Sequence, residues 1–303
     1  MKETQVKAIK ARLKEKRGIL LAHNYQPAEI QALADLTGDS LELSLKAAQT
    51  DAELIVFCGV LFMAETASIV SPDKTVLLPR IDAGCPMADM VTSESLQQRL
   101  AQAGSIPVVT YVNSSASVKA ASTICCTSAN VAAVVNHLTE AEILMVPDRN
   151  LAQYAATKTT KKIRYWDGYC PIHDGLTPNH VHLAKAAHPE ALFMAHPECR
   201  PEVLALADAV LSTSGMLRFA KDSNRREFIV GTEEGLIHPL QEANPHKQFY
   251  RASENMICQD MKKISPDDIL EALEGEKHEI RVSESVRTRA AVAVNRMLEI
   301  TKR

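Results

Sequence analysis

The chain has 303 residues, a net charge of −3 and only 4% aromatic residues. It carries no basic block and no apolar run near the ~20 residues of a membrane span, so neither nucleic acid nor a membrane is expected as a partner. Seven cysteines, an odd number, do not make a disulfide framework. In a reducing compartment they are core filler, reactive thiols or metal ligands.

In chain order, MKETQVKAIKARLKEKRG reads as a charged amphipathic helix without the apolar core of a secretory signal, which points to a cytoplasmic protein. Residues 18–23 (GILLAH) read as a buried strand, and Pro27 then opens a helix. Glu53–Phe57 and Thr75–Leu78 read as further strands, with helical spacing in FMAETASIV between them. The pattern restarts with PVVTYV at 107–112 and continues through STICC, a helix near 130–138, EILMV, another helix and KIRYW. It restarts again with ALFMA at 191–195 and continues through DAVLS, EFIVG and QFYRA. The segment from about Glu284 to Lys302 reads as one long helix. Short apolar runs alternating with helical stretches predict an α/β protein with small parallel sheets and helices on their faces.

Polar residues repeat on the same period. Cys85, Cys170 and Cys258 lie 85 and 88 residues apart. His23 and Tyr25, Tyr111 and Asn113, and His196 and Glu198 are pairs two residues apart at the ends of apolar runs. Each pair is followed by a hydroxyl at an equivalent distance: Ser40, Ser128 and Thr213, the last beside Ser212. The expected organisation is three pseudo-symmetric lobes, 1–104, 105–188 and 189–274, around a central cavity, with 275–303 packing back on the first. Candidate boundaries are near Gly104–Ser105 and His188–Pro189.

In open parallel sheets ligands bind beyond the carboxyl ends of the strands, where each pair stands. Residues i and i+2 of an extended segment point to one side, so each pair can reach a single ligand. The hydroxyls sit where turns lead into helices. They are either ordinary helix caps or anion-binding groups for a carboxylate or phosphate. Cys58, Cys125, Cys126 and Cys199 read as small buried hydrophobes. Cys85 and Cys170 stand in loops with proline next, and Cys258 follows on the repeat. Three converging thiolates suit either zinc with an open position or an iron–sulfur cluster, and the spacing does not choose between them.

AHNYQ (22–26), GDS (38–40), GVLFMAETA (59–67), CPMAD (85–89), YVNSSASVKA (111–120), CTSAN (126–130), PDRNL (147–151), HPEC (196–199), STSGM (212–216) and GTEEGLIHPL (231–240) together resemble the quinolinate synthase family, from about residue 18 to the C-terminus. The resemblance implies three αβα lobes around a cavity. It also implies condensation of iminoaspartate with dihydroxyacetone phosphate to quinolinate, with loss of phosphate and two waters. One [4Fe–4S] cluster would be held by Cys85, Cys170 and Cys258, its fourth iron open as a Lewis acid. An enzyme that supplies iminoaspartate is the implied functional partner. Some longer family members carry a second cysteine near the last ligand; here the segment is CQDM, so a thiol switch of that type is not expected.

For this chemistry Glu198 is the expected proton-transfer group, Tyr25 a second relay and His196 a catalytic or carboxylate-binding donor. His23, Ser40, Tyr111, Asn113, Ser128, His173, Ser212 and Thr213 complete the expected substrate site. Glu198 could instead make only a structural hydrogen bond, and His173, three residues after Cys170, could merely orient a neighbour. The competing functions are an iron–sulfur sensor or electron carrier, and a small-molecule binding protein with a three-cysteine zinc site.

Overall fold

A computed structural model of the chain describes residues 3–104 and 106–301. Ser105, at one expected boundary, and Met1, Lys2, Lys302 and Arg303, at the ends of the expected segments, lie outside the described residues. Within them are three four-stranded sheets. The first contains β1 (Gly18–His23), β2 (Leu36–Gly38), β3 (Leu54–Cys58) and β4 (Thr75–Leu77). The second contains β5 (Val108–Tyr111), β6 (Ile124–Cys126), β7 (Glu142–Val146) and β8 (Lys162–Tyr165). The third contains β9 (Leu192–Ala195), β10 (Ala209–Val210), β11 (Glu227–Gly231) and β12 (Gln248–Arg251).

All three sheets share one strand order, β2-β1-β3-β4 and its equivalents, and every pairing within them is parallel. The α/β class and the three equivalent lobes are therefore as expected from the repeat. The central strands are continuous apolar runs because helices cover both faces; all five residues of β3, LIVFC, are buried. The edge strand β8, KIRY, is half exposed and points Arg164 Nε at Glu142 of β7 at 2.7 Å. Charge on an edge blocks further strand pairing.

One strand was not anticipated. β2 is only Leu-Thr-Gly, too short and too polar to carry a strand pattern of its own. It forms because β1 offers an edge, pairing Leu21 with Leu36 and His23 with Gly38. The terminal helix Glu284–Thr301 also differs in its seat. It lies across Leu61–Val70 of the first lobe and across Ala116–Ala120 and Ile124–Cys126 of the second, rather than on the first alone. Arg296 Nη1 donates to the Thr123 carbonyl at 2.9 Å. Its buried face, Ala290, Ala293, Val294 and Met297, fills the seam between the two lobes. The return to the first lobe starts earlier than position 275, since the helix Pro266–Gly275 already packs on Glu3–Glu15.

In each sheet the strand order reverses between its first and third strands. Such a switch point opens a crevice at the carboxyl ends of the strands, and there ligands bind. The three crevices face one another. Phe193 of β9 is wholly buried and its ring lies against Gly231 of β11, close enough that a Cβ there would sit 2.6 Å from it. Phe193→Ala is expected to lower stability by about 3–5 kcal/mol, read as a shift in the urea midpoint with an unchanged slope.

Candidate active site

The crevices merge into one cavity, lined from all three lobes. After β1 come His23 and Tyr25, after β5 Tyr111 and Asn113, and after β9 His196 and Glu198; all six line it. The i, i+2 geometry is visible in two of the pairs. The Tyr25 amide meets His23 Nδ1 at 3.1 Å, and their rings pack edge to face at 4.6 Å. The Glu198 amide meets His196 Nδ1 at 3.4 Å.

Ser40, Ser128 and Thr213 also line the cavity. Each stands one residue after the group that closes the turn. Asp39 caps the helix Ser40–Gln49, accepting from Leu41 and Glu42. Thr127 accepts from Ala129 ahead of Val131–His137. Ser212 caps Thr213–Asp222 by accepting from Gly215. In the first and third lobes the neighbour caps the helix, in the second it closes the turn ahead of it, and in all three the expected hydroxyl lines the cavity. Ser212 is the exception among the expected binding residues. It does not line the cavity but caps its helix and donates to Asp39 Oδ2 at 3.1 Å, tying the third lobe to the first.

A hydrogen-bonded chain crosses the floor. Tyr25 Oη lies 2.5 Å from Thr232 Oγ1. Thr232 Oγ1 lies 2.8 Å from His173 Nε2. His173 Nδ1 lies 2.7 Å from Glu198 Oε2, and Tyr111 Oη donates to Glu198 Oε1 at 2.6 Å. A carboxylate at Nδ1 makes that nitrogen the N–H donor, which leaves Nε2 to accept from Thr232, and Thr232 to accept from Tyr25. His173 also stacks on His196 at 4.6 Å between ring centres.

Burial opposes ionisation of Glu198. The adjoining His173 and His196 rings and the bonds from His173 and Tyr111 outweigh it and hold the carboxyl below its usual range. Burial pushes the Tyr25 and Tyr111 phenols up, reinforced by the Glu198 charge, so both remain proton donors. Burial pulls His23 and His196 down to about 3 against the attraction of Glu198, so both are neutral at ordinary pH.

These shifts set an acid limit. The unfolded chain takes up protons at histidine near 6.5 that the folded chain refuses down to about 3. Stability is thus present above that window and is lost as pH falls through it, by about 1.4 kcal/mol per pH unit for each histidine. Urea unfolding at pH 7 and pH 5 is expected to show the fall, and His23→Gln and His196→Gln to reduce its slope. An unaltered slope in both variants would mean that other groups control acid unfolding.

The three cysteines occupy equivalent positions beyond the fourth strand of each sheet, after β4, β8 and β12, and all line the cavity. Cys170 and Cys258 each begin a short helical turn. Burial pushes all three thiols up, Cys85 to about 12. Without a metal they are neutral thiols rather than nucleophiles, and a bound metal would displace their protons. The donor set suits a thiolate-held metal centre: three cysteines, one following each sheet, line a single cavity. Among the described residues, Cys170, His173 and Glu198 also bring ligand atoms within 4.8 Å of one another. Cys58, Cys125, Cys126 and Cys199 are fully buried in strands and core, as expected of small hydrophobes.

Four polar groups of the site had no signal in the repeat. Asp39, Glu233 and Thr127 line the cavity, and Thr232 joins Tyr25 to His173. Thr232 and Glu233 follow β11 in GTEEG; equivalence with the ends of β3 and β7 would have pointed to them. The three lining acids are already partnered. Asp39 caps its helix, Glu198 holds His173 and Tyr111, and Glu233 pairs with Lys262 at 2.8 Å. Among the described lining residues there is no lysine or arginine. Hydroxyls, imidazoles and the amino ends of two ten-residue helices, beginning at Ser40 and Thr213, supply the attraction for an anion.

Three equivalent α/β lobes that bring an acid–base network and three thiols into one cavity define an enzyme site. The family model described as quinolinate synthetase A protein matches residues 7–299. The chain is 56% identical over 294 residues to the quinolinate synthase of Geotalea uraniireducens, covering 97% of each chain. It is 53% identical over 289 residues to quinolinate synthase 1 of Methanosarcina acetivorans and 51% identical over 288 residues to the quinolinate synthase of Desulforudis audaxviator, covering 95% of each chain in both cases. The chain belongs to the quinolinate synthetase A family of enzymes of NAD biosynthesis. Among the described residues no helix is long and apolar enough to cross a membrane.

Proposed function

We propose that this chain condenses iminoaspartate with dihydroxyacetone phosphate, releasing phosphate and two waters to form quinolinate, with one [4Fe–4S] cluster on Cys85, Cys170 and Cys258. The observation that carries the reading is the convergence of those three thiols, three turn hydroxyls and the Glu198 network on a single cavity. When bound, a cluster with one iron free of protein ligands supplies a Lewis acid that polarises an oxygen of the substrate.

The remaining chemistry belongs to side chains. Ser40, Ser128 and Thr213, with the two helix ends, bind carboxylate or phosphate oxygens. Asn113 lines the cavity with Oδ1 unpartnered, so its amide is available to a ligand. His23 and His196, neutral in the buried site, donate to carboxylates without adding fixed charge. A carboxyl held below its usual range is a weak base alone. We therefore assign proton transfer to Glu198 and His173 as a couple, which exchanges a proton with Tyr25 Oη through Thr232. Tyr111 orients the other carboxylate oxygen. The couple moves protons between carbon and oxygen in the isomerisation and ring-closure steps.

An electron carrier would need a fully ligated cluster and no cavity of this kind, and a zinc-binding protein would be colourless. We place the reaction in the cytoplasm, where the seven free cysteines stay reduced, beside an enzyme that supplies iminoaspartate. The test is anaerobic: iron and sulfide content of the purified protein, and quinolinate formed from the two substrates. Protein that binds no iron, or that holds a cluster yet makes no quinolinate, would overturn the proposal.

A further inference from the structure

GTEEG, at 231–235, contributes an acid to the cavity that proton transfer does not use. Glu233 is completely buried. Its Oε2 accepts from the Gly235 amide at 2.7 Å, and its Oε1 accepts from the Cys258 amide at 3.1 Å. Lys262 Nζ meets Oε1 at 2.8 Å and Oε2 at 3.1 Å, and donates to the Tyr25 carbonyl at 2.7 Å. A buried ion pair is an expensive way to gain stability, because desolvation offsets most of its attraction. What this pair does achieve is geometric. It joins the backbone of one cysteine, the loop after β11 and the backbone of Tyr25, from opposite lobes.

The same loop fits closely against Tyr25 in two other ways. A Cβ on Gly235 would lie 2.7 Å from the Tyr25 carbonyl oxygen, so only glycine lets the two backbones approach so far. Thr232 holds the Tyr25 phenol. We infer that Glu233 and Lys262 are a positioning pair, which fixes Cys258 as a cluster ligand and locks it in register with Tyr25. The inference rests on the cluster assignment proposed above. Groups that orient metal ligands in this way typically change metal affinity or activity 10–100-fold when lost.

The experiment uses the anaerobic holoenzyme and measures the rate at which its iron passes to a ferrous chelator. Glu233→Gln keeps the size but has one acceptor for two amides, and is expected to release iron about 10–100-fold faster, with the thermal midpoint little changed. Glu234→Gln, next in the chain, removes the same charge from a side chain paired with Arg251 at 3.1 Å outside the cavity, and is expected to match wild type. Lys262→Met should also release iron faster, and Lys262→Arg, which keeps the cation, should recover much of the wild-type rate. Should Glu233→Gln fail to fold, the two Lys262 variants decide the matter. Release at the wild-type rate in Glu233→Gln or Lys262→Met overturns the inference, as does acceleration that only follows a lowered thermal midpoint. Wild-type protein that holds no cluster overturns the proposed function with it. A wild type that keeps its cluster and makes quinolinate, alongside a Glu233→Gln that retains iron equally well, removes this inference alone.

Discussion

Glu198→Gln is expected to slow quinolinate formation by ~10²–10⁴ while leaving cluster content and substrate binding near wild type. Glutamine keeps the shape and can still accept from Tyr111. It removes the anion that faces His173 Nδ1 at 2.7 Å and has set that nitrogen as the donor. An amide N–H turned toward Nδ1 favours the other tautomer, which reverses the hydrogen bonds through Thr232 to Tyr25. His196→Ala is expected to act differently, weakening carboxylate binding, since a neutral imidazole beside Ser128 is a donor and not a base. Single-turnover assays of reconstituted variants separate the two effects. A Glu198→Gln enzyme within a few-fold of wild type would move proton transfer to Tyr25.

Cys85→Ala, Cys170→Ala and Cys258→Ala are each expected to lose the cluster and all measurable turnover. Two thiols cannot replace three when each comes from a different lobe. Cys58→Ala, Cys125→Ala and Cys199→Ala are expected to keep both cluster and activity. Each loses one buried sulfur, at about 1 kcal/mol of stability. Iron analysis and the brown colour of the anaerobic protein read the outcome directly. A colourless but active Cys258→Ala enzyme would overturn the ligand set.

The two groups of cysteine differ in a way that sequence could register. Cys58, Cys125 and Cys126 lie within apolar strand runs, whereas Cys85 and Cys170 lie in proline-bearing loops at matching places in the repeat. The repeat works as a signal because three copies of one sheet order must put equivalent positions in equivalent places. The polar pairs are visible for the same reason: they stop an apolar run at the carboxyl end of a strand.

Sequence by itself determined the α/β class, the threefold repeat, the strands long enough to show a pattern and the residues that stand at their ends. These are local properties, written in apolar runs and their terminations. Only the tertiary structure decided the rest. β2 exists because β1 supplies an edge, not because Leu-Thr-Gly prefers to be a strand. Ser212 and Thr213 are neighbours with the same chemistry, and helix geometry alone makes one a cap and turns the other to the cavity. The terminal helix sits between two lobes because its apolar face fits their shared seam, a surface that no single segment encodes. Thr232 takes its meaning from Tyr25 in another lobe, and Glu233 from Lys262, whose ammonium also reaches the Tyr25 carbonyl. Hydrogen bonds and ion pairs act over a few ångströms. Residues far apart in the chain acquire such partners only when packing brings their strands' ends together.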